Sequence, residues 1–212
     1  MLMINNLSKT FPDKSINYPN ITAQRGEVLS IIGASGSGKS TLCEMIAGFL
    51  PIESGEILIN KANTQKINVF EHIHYLSQFP EHNLIGPTWR EDVELWKASN
   101  NPELSHSQHC ECRETIQSGG RDCGGGDSEL EEIPIWKLSF GQKKALSFCA
   151  LKLVYRDIWV LDEPFAGLDI EMIKALHTLI RKHVNRGGIV IITSHDDVMN
   201  LELAGKRVEL KV

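Results

Sequence analysis

The chain of 212 residues carries 22 Lys and Arg against 27 Asp and Glu, a formal net charge of −5, with 42% hydrophobic and 23% charged residues. That length suits one domain, or one domain with a lobe, and the composition excludes a wholly disordered chain. Mild acidity without a long basic run weighs against nucleic acid as the main partner. Nothing approaches the ~20 apolar residues of a membrane-spanning helix, and Met1 to Asn6 lacks the basic flank and apolar stretch of a signal peptide. Five cysteines without framework spacing suggest a reducing compartment. The expectation is a soluble cytoplasmic protein.

In chain order, β-branched runs at Ile16 to Ile21 and Val28 to Ile32 predict strands, the second running into glycine-rich sequence. A helix is expected from Lys39 to Ala47, stopped by Gly48 and Pro51. Glu56 to Ile59 and His72 to Leu76 read as strands. Thr88 with Glu91 three residues on forms a capping box that opens a helix through about Lys97. Ala98 to Glu132, rich in Ser, Asn, Gly and Cys and without an apolar period, reads as an irregular insert. A helix is expected over 141–154, then a buried strand, Ile158 to Leu161. Ile173, Leu176, Ile180 and Val184 mark a helical stripe within Ile170 to Val184, ended by Gly187-Gly188. Ile189 to Ile192 is another apolar strand, and Arg207 to Leu210 closes a sheet edge. Continuous apolar strands alternating with helices predict an α/β fold with a largely parallel sheet flanked by helices.

The most specific motif is Gly33-Ala34-Ser35-Gly36-Ser37-Gly38-Lys39-Ser40, which matches G-x-x-x-x-G-K-[ST] between a strand and a helix. Its glycines let the backbone curl so that several N–H groups face one concavity, made more positive by the following helix N-terminus. Lys39 can reach β- and γ-phosphate oxygens, and the Ser40 hydroxyl can ligate Mg²⁺. The strand Ile158 to Leu161 delivers Asp162-Glu163 at its C-terminal end, where open α/β sheets bind ligands. One carboxylate there suits Mg²⁺ or its water; the second can activate an attacking water.

Leu138-Ser139-Phe140-Gly141-Gln142 resembles the LSGGQ signature of ABC-type ATPases, and the family's other motifs follow its order. Gln78 matches the Q-loop, Ala166-Gly167-Leu168-Asp169 the D-loop, and His195 the switch histidine, while Phe11 stands where the family places an adenine-stacking aromatic. The resemblance covers nearly the whole chain. It implies one ABC ATPase domain over 1–212, with an N-terminal antiparallel β portion and a reduced or irregular helical lobe over 79–136. It further implies that ATP, with Mg²⁺, lies on Gly33 to Thr41, with Ser40, Gln78 and Asp162 toward the metal. Glu163 would be the general base, Gln78 would approach the attacking water, and His195 would contact the γ-phosphate. Ser139, Gly141 and Gln142 would close over ATP held by a second subunit, the same chain or a related one. Integral membrane transporter subunits are the implied partners, placing the protein on the inner face of the cell membrane.

Gln78 to Val93 also looks like the corresponding stretch in ATPases of energy-coupling-factor transporters and their cobalt and nickel relatives, which implies uptake of a vitamin or transition-metal ion. Three departures stand out: Phe140 in place of a glycine, Lys143-Lys144 where the family often has glutamine and arginine, and the 98–132 insert where amphipathic helices are expected. The His and Cys residues of that insert match no standard zinc spacing; Cys43 and Cys149 read as small core residues. Two other readings stay open: a nucleotide-gated regulatory protein with weak turnover, and a non-transport ABC ATPase acting on nucleic acid.

Overall fold

The structure, a computed structural model, describes residues 1–98, 132–195 and 205–210. The expected insert, apart from its first residue and its last, lies outside the described residues. The chain divides into two compact units. One comprises Met1–Gln78, Arg156–Pro164 and Leu179–Val212; the other comprises Phe79–Tyr155 and Phe165–Thr178.

The first unit holds two sheets. One is antiparallel and built on β1 (Leu2–Phe11), which pairs with β2 (Lys14–Asn17), β3 (Ile21–Ala23) and β5 (Ser54–Ile59), with β6 (Ala62–Asn63) beyond. Sequence periodicity gives no sign of β1, and the physical reason is local. Asn6 has φ +49° and the pairing with β5 slips between Asn5 and Ser8. The bulge changes the apolar spacing from Leu2 and Ile4 to Leu7, breaking the alternation while keeping all three side chains buried. The expected strand Ile16 to Ile21 is likewise two, because Tyr18-Pro19-Asn20 separates β2 from β3.

The other sheet has the order β10 (Lys206–Glu209), β4 (Val28–Ile32), β9 (Ile189–Ser194), β8 (Ile158–Asp162), β7 (Ile73–Leu76), and every pairing is parallel. β4 and β8 are buried along their whole length, including the polar Ser30 and Asp162 within their largely apolar runs. Leu2, Ile4, Leu29, Ile31, Val160 and Ile191 join Leu42 and Ile46 of α1 (Lys39–Ile46) in one core. Each such side chain contributes roughly 1.5–3 kcal/mol of burial.

In the second unit, α2 (Trp89–Ala98) packs on α3 (Phe140–Leu153). The capping box expected at Thr88 is present: Glu91 N donates to Thr88 Oγ1 and Thr88 N to Glu91 Oε2. The buried Asp92 carboxylate accepts from the N–H groups of Ile85 (2.6 Å) and Gly86 (2.9 Å), fixing the turn before α2.

α4 (Ile170–Asn185) buries Ile173, Leu176 and Ile180 as the stripe predicts, and Met172 beside them, but the next buried position is His183, with Val184 only half-buried. The imidazole of His183 stacks on Trp159, centroids 3.8 Å apart and planes 9° from parallel. Burial pushes His183 down to about 4 and His74 to about 3. Both are therefore neutral when folded at pH 7, whereas an unfolded histidine titrates near 6.5. The unfolded chain binds more protons below that value, so these groups cost nothing above about pH 6.5 and lower stability progressively toward pH 4. By pH 5 the loss is on the order of 2 kcal/mol for each. Urea unfolding at pH 7.5 and pH 5.0 is expected to show the drop, and His183→Phe, which keeps a stacking ring, should make it smaller.

Candidate nucleotide site

β4 ends at Ile32 and the chain turns through 33–38 into α1, whose N-cap is Gly38. No side chain caps this helix, so the N–H groups of its first turn face outward for an anion. Gly38 has φ +93°, and a Cβ there would lie 2.8 Å from both the Tyr18 hydroxyl and Ile16. Only glycine fits. Burial raises the Tyr18 phenol to about 12, keeping it protonated to donate to the Gly38 carbonyl at 3.2 Å.

A cleft of about 360 Å³ opens over this turn. Its walls are Phe11, Lys14 and Ile16 from the β1–β2 hairpin, Ser35, Gly36, Gly38, Lys39, Ser40 and Thr41 from the loop and α1, and Gln78, Glu163 and His195 from strand ends. Of the expected loop residues, Gly33, Ala34 and Ser37 shape the turn: the Ser37 N–H donates to the Ala34 carbonyl, and Ser37 is buried.

Lys39 is buried, and its ammonium donates to the carbonyls of Gly33 (2.7 Å) and Ala34 (3.1 Å) and to His195 Nδ1 (3.2 Å). An ammonium only donates, so Nδ1 must be the bare nitrogen of the ring and Nε2 carries the proton. That Nε2–H faces Glu163 Oε1, while the other carboxylate oxygen lies 3.5 Å from Gln78 Nε2. Burial lowers the Lys39 pKa, opposed by the charges of Glu163 and Asp162. Glu163 has φ +47°, a left-handed backbone conformation unusual for glutamate and typical of strained functional positions. Asp162, at the end of β8, is buried. Ser40, Asp162 and Gln78 offer hard oxygen donors of the kind Mg²⁺ prefers, and among the described residues no group of three His, Cys, Asp or Glu forms a denser metal cage.

Ser139, Gly141 and Gln142 belong to the second unit. Ser139 caps α3 by accepting from Gln142 N (3.2 Å), and its own N–H donates to Gln142 Oε1 (2.9 Å). The Phe140 ring lies over Gly167, and the buried Lys144 donates to the Ala166 carbonyl (2.8 Å) with its ammonium 5.4 Å from the ring. Lys143 pairs with Glu81 at 2.9 Å.

A family model described as ABC transporter matches residues 16–166. The chain belongs to the ABC transporter family. It is therefore an ATP-binding ABC ATPase, which hydrolyses the nucleotide it holds. Among known relatives it is 33% identical over 185 residues to the cytochrome c biogenesis ATP-binding export protein CcmA of Reclinomonas americana, covering 84% of this chain and 77% of that one. It is 31% identical to CcmA of Pasteurella multocida, covering 90% and 85%. The fold matches a dimeric bacterial ABC transporter cassette with TM-score 0.80 at 23% identity, over 100% of this chain and 94% of that one. It matches cbiO1 from Clostridium perfringens, part of the ABC transporter complex cbiONQ, with TM-score 0.73 at 26% identity, over 99% and 84%. Both of these curated relatives carry export names.

Lys14 and Thr193 were not singled out by sequence reasoning. Lys14 faces Phe11 in the β1–β2 register and donates to the Gly36 carbonyl (2.6 Å), tying the hairpin to the loop. Its only sequence signal is proximity to Phe11. The Lys39 geometry generates a direct expectation. Lys39→Ala removes the buried cation at the start of α1 and should abolish tight ATP binding, measured by equilibrium titration with a fluorescent ATP analogue; unchanged affinity would reject the phosphate-loop assignment.

Proposed function

We propose that this protein is the ATP-hydrolysing subunit of an ABC transporter, closing as a dimer around ATP to drive separate membrane subunits. The observation that carries the reading is the single cleft in which Lys39, His195, Gln78 and Glu163 converge on a loop of phosphate-binding form. In this reading Phe11 stacks on adenine, the N–H groups of 33–41 cradle the phosphates and Lys39 neutralises their charge. Ser40, Asp162 and Gln78 would hold Mg²⁺, which when bound neutralises the β- and γ-phosphate oxygens. Glu163, its carboxylate aligned by His195 and Gln78, accepts the proton of the attacking water, and His195 then serves the γ-phosphate as charge develops. Ser139 and Gly141, with Gln142, close over the nucleotide of the second subunit, whether the same chain or a related one.

Among the described residues no helix is long and apolar enough to cross a membrane, which suits a subunit peripheral to the inner face of the cell membrane. Uptake of a vitamin or metal ion is supported by the Gln78 to Val93 resemblance. Export is the second reading, favoured by identity to CcmA over more than four-fifths of the chain. Crosslinking in native membranes, followed by identification of the captured integral subunit, separates the two; capture of none would favour the regulatory alternative.

Glu163→Gln keeps shape and most hydrogen bonding but removes the base. Phosphate release should fall by about 10²–10⁴-fold while ATP affinity holds. The variant should form a dimer with ATP and Mg²⁺ but not with ADP, read by size-exclusion chromatography with light scattering. Wild-type turnover no faster than that of the variant would remove Glu163 from the catalytic role.

A further inference from the structure

Thr193 is a polar residue in an otherwise aliphatic stretch of β9, Ile189-Val190-Ile191-Ile192, and it is fully buried. Packing alone would favour valine there. Its register partner in β8 is Asp162. The Thr193 hydroxyl donates to Asp162 Oδ1 and accepts the backbone N–H of Glu163 at 3.0 Å. A hydroxyl has one proton to give, so donation to Asp162 and acceptance from Glu163 N–H fix its orientation completely. Asp162 Oδ1 is thereby engaged as an acceptor, which leaves Oδ2 for the cation. Glu163 is the residue with φ +47°, and the bond to its N–H holds that backbone in place.

We propose that Thr193 is a positioning residue, one hydroxyl that aligns both the metal-facing carboxylate of Asp162 and the backbone that aims Glu163. It touches neither nucleotide nor attacking water; it acts through the two acidic residues. The inference rests on the roles given above to Asp162 and Glu163. Loss of such supporting bonds costs about 10–100-fold in metal affinity or activity.

The test uses the full chain with Thr193→Val, Thr193→Ser, Thr193→Ala and Glu163→Gln side by side. Binding of a fluorescent ATP analogue is measured in EDTA and in Mg²⁺, together with phosphate release and thermal unfolding. In Thr193→Val, binding in EDTA should match wild type, the gain in affinity on adding Mg²⁺ should shrink about tenfold, and phosphate release should fall about ten- to hundredfold. Thr193→Ser should restore both. Should the valine variant fail to fold, serine against alanine makes the same comparison, since those two differ only in the hydroxyl. Wild-type Mg²⁺ dependence and turnover in the valine or alanine variant would overturn the proposal, as would a serine variant as impaired as they are. If Glu163→Gln turns over normally, the reading of Glu163 fails, and the Mg²⁺ response alone then decides the Asp162 half of the proposal.

Discussion

Parallel pairing of β4, β9 and β8 is the constraint on which the site depends. Parallel strands in register bring their C-terminal ends to the same edge, so Ile32, Ser194 and Asp162 finish side by side. The chain leaves that edge three times, into the phosphate loop, into Glu163 and into His195. No side chain has to reach far, because the backbone hydrogen bonds of a buried sheet have already set the spacing. The cost of assembling charged groups is met by aliphatic burial beneath them, and the Lys39 ammonium, the His195 ring and the Glu163 carboxylate offset one another above it.

The phosphate loop was legible because its chemistry demands residue types at fixed spacing: glycine for the curl, lysine for charge, serine for the metal. The carboxylates of Asp162 and Glu163 were legible because they end an apolar run, and Thr88 and Glu91 because a capping box is local. Other features depend on contacts that sequence spacing does not encode. β1 was hidden by its bulge at Asn6, which erases the period-two signal without exposing Leu7. His183 occupies a core position because Trp159, far from it in sequence, offers a flat partner with ring centroids 3.8 Å apart, and no periodicity distinguishes it from Val184.

The hairpin presents a related case. Phe11 could be matched to a family position, but Lys14 acquires meaning only through the register that sets it opposite Phe11 and through its bond to Gly36. The same holds for Thr193, whose hydroxyl is informative only when Asp162 is known to be its neighbour across the ladder. Motif reading finds groups that act on a ligand; pairing geometry finds the groups that orient them.

The Phe140 ring over Gly167 couples two positions of the second unit. A Cβ at 167 would come within 3.0 Å of that ring, and the backbone there has φ +73°. Two independent barriers therefore guard position 167, steric and conformational. Replacing Phe140 by glycine would clear the space yet leave the left-handed backbone to exclude side chains at 167. The dependence runs in one direction: the conformational barrier at 167 persists whichever residue stands at 140.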